Sequence, residues 1–136
     1  MMAKVIDATG LILGRMATQV AKLALAGEQV NIINCEKAVV SGSKSKIKKR
    51  QKLRKIGGPF HGPFYPKRAD RIVKRAIRGM LPYKQPRGRD ALKRIKCYIG
   101  QPENVEVKEI ISLPKASKER IAVIKTITLQ KISEQI

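Results

Sequence analysis

Residues 4–34 read KVIDATGLILGRMATQVAKLALAGEQVNIIN, and the fold follows from this stretch. It opens on Lys4-Val-Ile-Asp-Ala8, a short β-branched run closed by Thr9-Gly10, which reads as a strand. From Leu13 the apolar period changes. Leu13, Met16, Ala17, Val20, Leu23 and Ala24 recur at helical spacing, Arg15, Thr18, Gln19 and Lys22 form the opposite stripe, and Gly27 supplies the stop. Gln29 to Asn34 then holds Val30-Asn-Ile-Ile33, a second strand. Strand, helix and strand within about thirty residues make a βαβ unit, which implies a parallel sheet with a right-handed crossover.

A βαβ opening invites a nucleotide site at its first strand-to-helix turn. Thr9-Gly10-Leu11-Ile12-Leu13-Gly14-Arg15 matches neither G-x-G-x-x-G nor G-x-x-x-x-G-K-[ST], and bulky side chains stand where backbone must approach phosphate. Gly10 and Gly14 read instead as a tight turn and a close packing contact, with Arg15 reaching an external phosphate. No cofactor and no small-molecule substrate are expected.

Beyond the unit, Ala38-Val-Val-Ser-Gly42 reads as a brief strand or extended turn. Ser43 to Ile56 has only Ile47, Leu53 and Ile56 as apolar anchors among eight basic residues. It buries too little to offset its ordering entropy, so a basic arm or helix lying on a ligand is expected. Gly57 to Pro66 contains a short Gly-Pro-Phe duplication that suits neither a regular helix nor a central strand. Ala69, Ile72, Val73, Ala76, Ile77, Met80 and Leu81 then keep helical spacing. At about 100° per residue, Lys67, Arg68, Arg71, Lys74, Arg75 and Arg78 fall in an arc of about 120° opposite that apolar face. Pro86 to Asp90 leads into a shorter helical turn with Ala91, Leu92 and Ile95 inward, and Lys96 to Ile99 reads as another strand. Val105 to Ile110 reads as a strand or extended segment, Ser117 to Lys125 as a short helix or strand, and Thr128 as the cap of a final helix reaching Ile136.

The chain has 136 residues, the length of one domain, and 30 Lys+Arg against 10 Asp+Glu, a formal charge of +20. A lone domain of this size usually carries a charge of magnitude about 2 to 8, so a polyanionic partner is implied. Apolar residues make up 43%, enough for a packed core and too many for a disordered basic tail. No run approaches the roughly 18 apolar residues of a membrane span, and the N-terminus lacks the apolar run of a signal peptide, so a cytoplasmic protein is expected. Cys35 and Cys97 stand 62 positions apart without zinc spacing and read as buried free thiols. His61 is the single histidine, which leaves little material for acid–base or metal chemistry.

The charge has a location. Residues 44–98 hold 20 basic side chains and two acids, Asp70 and Asp90, a net of +18. The other 81 residues hold ten basic and eight acidic side chains, a net of +2. A solvated face normally mixes signs, so phosphate neutralisation is the stronger reading of this segment. The candidate RNA-binding set is Arg15, then Lys44, Lys46, Lys48, Lys49, Arg50, Lys52, Arg54 and Lys55, then His61, then Lys67, Arg68, Arg71, Lys74, Arg75 and Arg78, and finally Lys84, Arg87, Arg89, Lys93 and Arg94. A membrane-surface helix would need bulky apolar residues opposite its charge, and Phe60 and Phe64 lie in the Gly/Pro loop instead. Phe60, His61, Phe64, Tyr65 and Tyr83 suit either stacking on unpaired bases or local packing. RNA is preferred to DNA because the chain lacks a helix-turn-helix, zinc finger or basic zipper. The rival readings are a small nucleotide-dependent RNA-processing enzyme and a general nucleic-acid-compacting protein.

Val5-Ile-Asp-Ala8 before Leu13-Gly-Arg15, Asn34-Cys-Glu-Lys37 with Val40-Ser-Gly42, Arg78-Gly-Met-Leu-Pro82, and Tyr98-Ile-Gly100 with Pro102 closely resemble, in order and spacing, the large-subunit ribosomal protein L-thirteen family in its archaeal form. Family members often carry His where Tyr83 and Gln101 stand here. The resemblance implies an α/β fold of three layers, α/β/α, around a small, mainly parallel sheet, with a basic helical arm and a C-terminal extension over residues 105–136. It implies one domain over residues 1–136, with the RNA-binding segment at 43–98. It further implies a non-catalytic constituent of the large ribosomal subunit that binds large-subunit ribosomal RNA early in assembly, beside neighbouring ribosomal proteins.

Overall fold

A computed structural model describes residues 4–41, 49, 52, 66–103, 110–111, 113, 116–117 and 126–134. The opening unit forms as its periodicity predicts: strand β1 is Lys4–Asp7, helix α1 is Leu13–Leu25 and strand β2 is Val30–Ile33. The apolar stripe of α1 buries Leu13, Met16, Ala17, Val20, Ala21 and Ala24. Its end is a Schellman turn, in which Glu28 donates its N–H to the Leu23 carbonyl and Gly27 to that of Ala24. Gly27 has φ +96, which an L side chain rarely adopts.

β1 pairs in parallel with β2, Ile6 opposite Ile32, and β2 pairs in parallel with β4 (Ile95–Cys97), Ile32 opposite Cys97. The sheet order is β1-β2-β4. Consecutive residues Val5 and Ile6, and Ile32 and Ile33, are all buried, as expected of a parallel sheet covered on both faces. A single 3₁₀ turn, Cys35–Lys37, follows β2 and leads into β3, Val39–Ser41. Asn34, at φ 55, turns the chain there and donates its side-chain amide to Asp7 Oδ1 at 3.2 Å.

Helix α2, Ala69–Arg78, buries Ala69, Ile72, Val73 and Ile77 against α1, whose small Ala17, Ala21 and Ala24 allow close approach. Each fully buried Ile or Val contributes roughly 1.5–3 kcal/mol. Helix α3, Pro86–Lys93, starts on a proline at its first position. Its Gly88 is buried, and a Cβ there would lie 2.0 Å from the Pro82 carbonyl oxygen, so only glycine lets α3 sit on the preceding turn.

Several expectations change. The helix read through Leu81 ends at Arg78; Met80 donates its N–H to Ile77, a tighter step than the α-helical one, and its side chain emerges 43% exposed instead of joining the apolar face. Ile95, read as an inward helical residue, begins β4, because the chain leaves α3 at Arg94 to pair with Val30. Gly14 makes no close packing contact among the described residues: beyond its own helix, none of them lies within 4 Å of where its Cβ would be. Gly10, at φ +70, does turn the chain. Cys35 is buried as expected, whereas Cys97 is half-buried, and the two thiols meet across the ends of β2 and β4.

The described C-terminal residues are built into the body. β5, Thr126–Thr128, pairs antiparallel with β3, Val39 opposite Thr128, in a second small sheet. Helix α4, Leu129–Glu134, follows directly; Leu129 and Ile132 join the main core, and Thr128 Oγ1 accepts the Lys131 N–H at 3.4 Å, the cap read from the sequence. Ile110 bridges to Val5 at the edge of β1. The expectations for 53–65, 105–109 and 118–125, and for most of 42–51, lie outside the described residues.

Candidate nucleic-acid interface

The βαβ unit and its added strand hold α2 by its apolar face, and the same periodicity sends the basic residues outward. Lys67, Arg68, Arg71 and Arg78 are exposed and Lys74 and Arg75 half-buried, the pattern of long side chains that lay their stems on the body and keep their charge in water. Asp70 is the one acid of this helix, and its charge is already engaged: Oδ1 accepts the Arg71 N–H at 2.9 Å and lies 3.5 Å from Arg68 Nε. Arg78 stacks its guanidinium 4.4 Å from the Tyr83 ring centroid. Tyr83 thus packs locally, its ring a platform for an arginine at the surface.

The turn and α3 extend the cationic surface. Lys84, Arg87, Arg89 and Lys93 are exposed. Arg87 donates Nε to Gln85 Oε1 at 3.1 Å, and Arg89 donates Nη2 to the Lys84 carbonyl at 3.1 Å, which fixes both side chains in place. Arg94 behaves differently from the rest of the set. It is half-buried and donates Nη1 to the Ala24 carbonyl at 3.0 Å, closing the C-terminal end of α1, where a cation is favourable. Its charge serves the body.

Arg15 is exposed on the first turn of α1, which contains no acidic residue. It lies across from Met80, whose sulfur is 3.4 Å from Thr18 Oγ1, so α1 and the end of α2 border one surface. Between them runs a groove of about 350 Å³ that also reaches Val40 and Ser41. Lys49 and Lys52 are helical and exposed. Lys44, Lys46, Lys48, Arg50, Arg54, Lys55 and His61 lie outside the described residues.

Two titratable groups are shifted by their surroundings. At Asp7, partial burial pushes the carboxyl up, but hydrogen bonds from the Thr9 hydroxyl and N–H and the Asn34 amide, with the nearby Lys37 charge, outweigh it and hold the group below its ordinary value. The Cys35 thiol is pushed far up, first by its hydrogen bond with Cys97 and then by burial. An unreactive thiol results. Among the described residues no three His, Cys, Asp or Glu side chains gather as a metal site, and no helix is long and apolar enough to cross a membrane.

Sequence reasoning missed Gly14, Thr18, Ser41 and Met80 as the walls of one groove. The signal present was Gly14, a glycine in the first turn of an otherwise well-formed helix.

The chain is similar to curated proteins over nearly its whole length. It is 48% identical over 134 residues to "Large ribosomal subunit protein uL13" of Methanosarcina barkeri, covering 97% of this chain and 96% of that one. Identity is 46% over 133 residues to the protein of the same name from Methanococcoides burtonii and 44% over 137 residues to that of Methanocaldococcus jannaschii, with 97% and 96% covered in both comparisons. The model of one family, Ribosomal protein L13, matches residues 2–104, the span that holds the βαβ unit, α2, α3 and β4, and the chain therefore belongs to the ribosomal protein L13 family.

Proposed function

We propose that this chain is a non-catalytic constituent of the large ribosomal subunit that binds large-subunit ribosomal RNA and enters the particle early in its assembly. The observation that carries this reading is α2: its apolar face is buried to the last isoleucine while its other face presents four basic residues, with Lys67 and Arg68 just before its first turn and its one acid already engaged. Such a helix is a rigid mount for cations at fixed spacing, and Arg adds bidentate geometry toward phosphate. The surrounding Lys84, Arg87, Arg89, Lys93 and Arg15 widen the footprint, and the basic segment from Lys44 to Lys55 adds to it by composition. The names of the relatives support a place in the large subunit, where neighbouring ribosomal proteins would be further partners.

The test is charge reversal. Exchanging Arg71, Lys74, Arg75 and Arg78 for Glu is expected to abolish co-sedimentation with large subunits while leaving the circular dichroism spectrum and melting close to wild type. Normal incorporation of the variant would refute the proposal. If about ten phosphates are neutralised, the logarithm of affinity for a large-subunit rRNA transcript falls against log salt with a slope of roughly −7 to −9, and the variant flattens it by about four contacts' worth.

A further inference from the structure

We infer that the groove between α1, β3 and Met80 receives one unpaired nucleotide of the bound RNA, its base on the apolar floor and its phosphate on Arg15. This rests on the RNA-binding reading above and goes beyond it, since charge on α2 says nothing about base insertion.

The groove, about 350 Å³, falls at the small end of the clefts that hold organic ligands, roughly 300 to 1,000 Å³. Leu13, Val40 and Met80 supply apolar surface, Ser41 and Arg15 supply polar groups at the edge, and no acid lines it among the described residues. Three features of its walls lack a structural reason. Gly14 sits in a helix without positive φ and with open space where its Cβ would be. A glycine there weakens α1 relative to alanine and helps no packing contact with the described residues; what it preserves is room in the groove. Met80 is a large apolar side chain 43% exposed, yet it is held in place, with its sulfur against Thr18 Oγ1 at 3.4 Å. Arg15 is exposed and makes no ion pair or hydrogen bond among the described residues.

A ligand that satisfies all three is flat, partly apolar and negatively charged. A thioether packs well against an aromatic ring, an arginine pairs with phosphate, and unpaired bases splayed from a folded RNA are the parts that proteins most often capture. The flat aromatic face of a base, which suits the Met80 thioether, and the RNA-binding reading of the neighbouring α2 favour a nucleotide over an acidic peptide.

The experiment uses the full chain with an archaeal large-subunit rRNA transcript, probed by dimethyl sulfate and 2′-hydroxyl acylation. Wild type should protect one or two unpaired nucleotides that Gly14→Leu, which fills the groove, leaves reactive. The same variant should bind about tenfold more weakly, within the range for losing one stacked base, melt at or above wild type, and keep the protections that α2 gives. Met80→Ala, which lowers the floor without touching the helix, should expose the same nucleotides in part. Unchanged footprints with both variants overturn the inference while leaving the RNA-binding reading intact. An unchanged footprint with Gly14→Leu together with loss of a neighbouring protein from reconstituted subunits assigns the groove to a peptide and also overturns it. Wild type that binds the transcript no more tightly than bulk RNA removes both readings.

Discussion

Residues 4–41 and residues 66–103 are stretches of equal length that share one core and differ in almost everything else. The first holds four basic and three acidic side chains, the second twelve basic and three acidic. The first supplies two adjacent strands and a helix rich in alanine; the second supplies two short helices and adds only β4 to the sheet. Burial is satisfied in both, through Ile6, Met16, Val20 and Ile32 in one and Ile72, Val73, Ile77 and Ile95 in the other. Apolar periodicity fixes where an element sits, and the remaining positions are then free to carry any charge. In the first stretch they are nearly neutral, and in the second they are cationic.

The comparison breaks most completely at Gly88. Gly88→Ala puts a carbon 2.0 Å from the Pro82 carbonyl, which no rotamer change relieves, so α3 must move off its turn. We expect a loss of at least about 3 kcal/mol in denaturant unfolding, at the upper end of overpacking costs. Arg94 offers a finer cut, because it belongs by sequence to the cationic stretch and by hydrogen bonding to the neutral one. Arg94→Met is expected to cost about 1–3 kcal/mol, the range for losing a charged hydrogen bond to a part-buried carbonyl, with little change in rRNA affinity or salt slope. Arg87→Met should do the reverse. The smallest effect concerns Asp7. Its carboxyl titrates below the ordinary value in the folded chain, so it contributes stability that is present above the unfolded value near 3.8 and disappears as pH falls through the folded one. Between pH 6 and pH 3 the wild type should lose slightly more stability than Asp7→Asn, as read by thermal melting.

Much of this was legible beforehand. The βαβ unit was, because a change of apolar period from two to 3.6 and back is a local signal. So was the cationic face of α2, because Ile72, Val73 and Ile77 fix its inward side and its basic residues follow by geometry. The short second sheet was not legible: Thr126-Ile-Thr128 is three residues long, and what makes it a strand is Val39 to Ser41, far away in the chain. Gly88 and Arg94 were hidden for the same reason, since the Pro82 carbonyl and the Ala24 carbonyl are specified by folding and not by sequence spacing. The groove stayed hidden because its walls come from α1, β3 and the end of α2, and because Met80 lies one step past the point where α2 stops being a helix.

The pairing of β3 with β5 bears on how this chain comes to be folded during synthesis. Translation delivers residues N-terminal end first, so the parallel sheet and α2 have all their parts once β4 has emerged, whereas Val39 and Val40 wait for Thr126 to Thr128, and Ala38 offers its carbonyl to the Leu129 N–H at 2.9 Å only then. Contacts between such distant residues are the slow ones in folding. The second sheet can therefore close only after the end of the chain has been made, later than the parallel sheet and the cationic helix have all their parts.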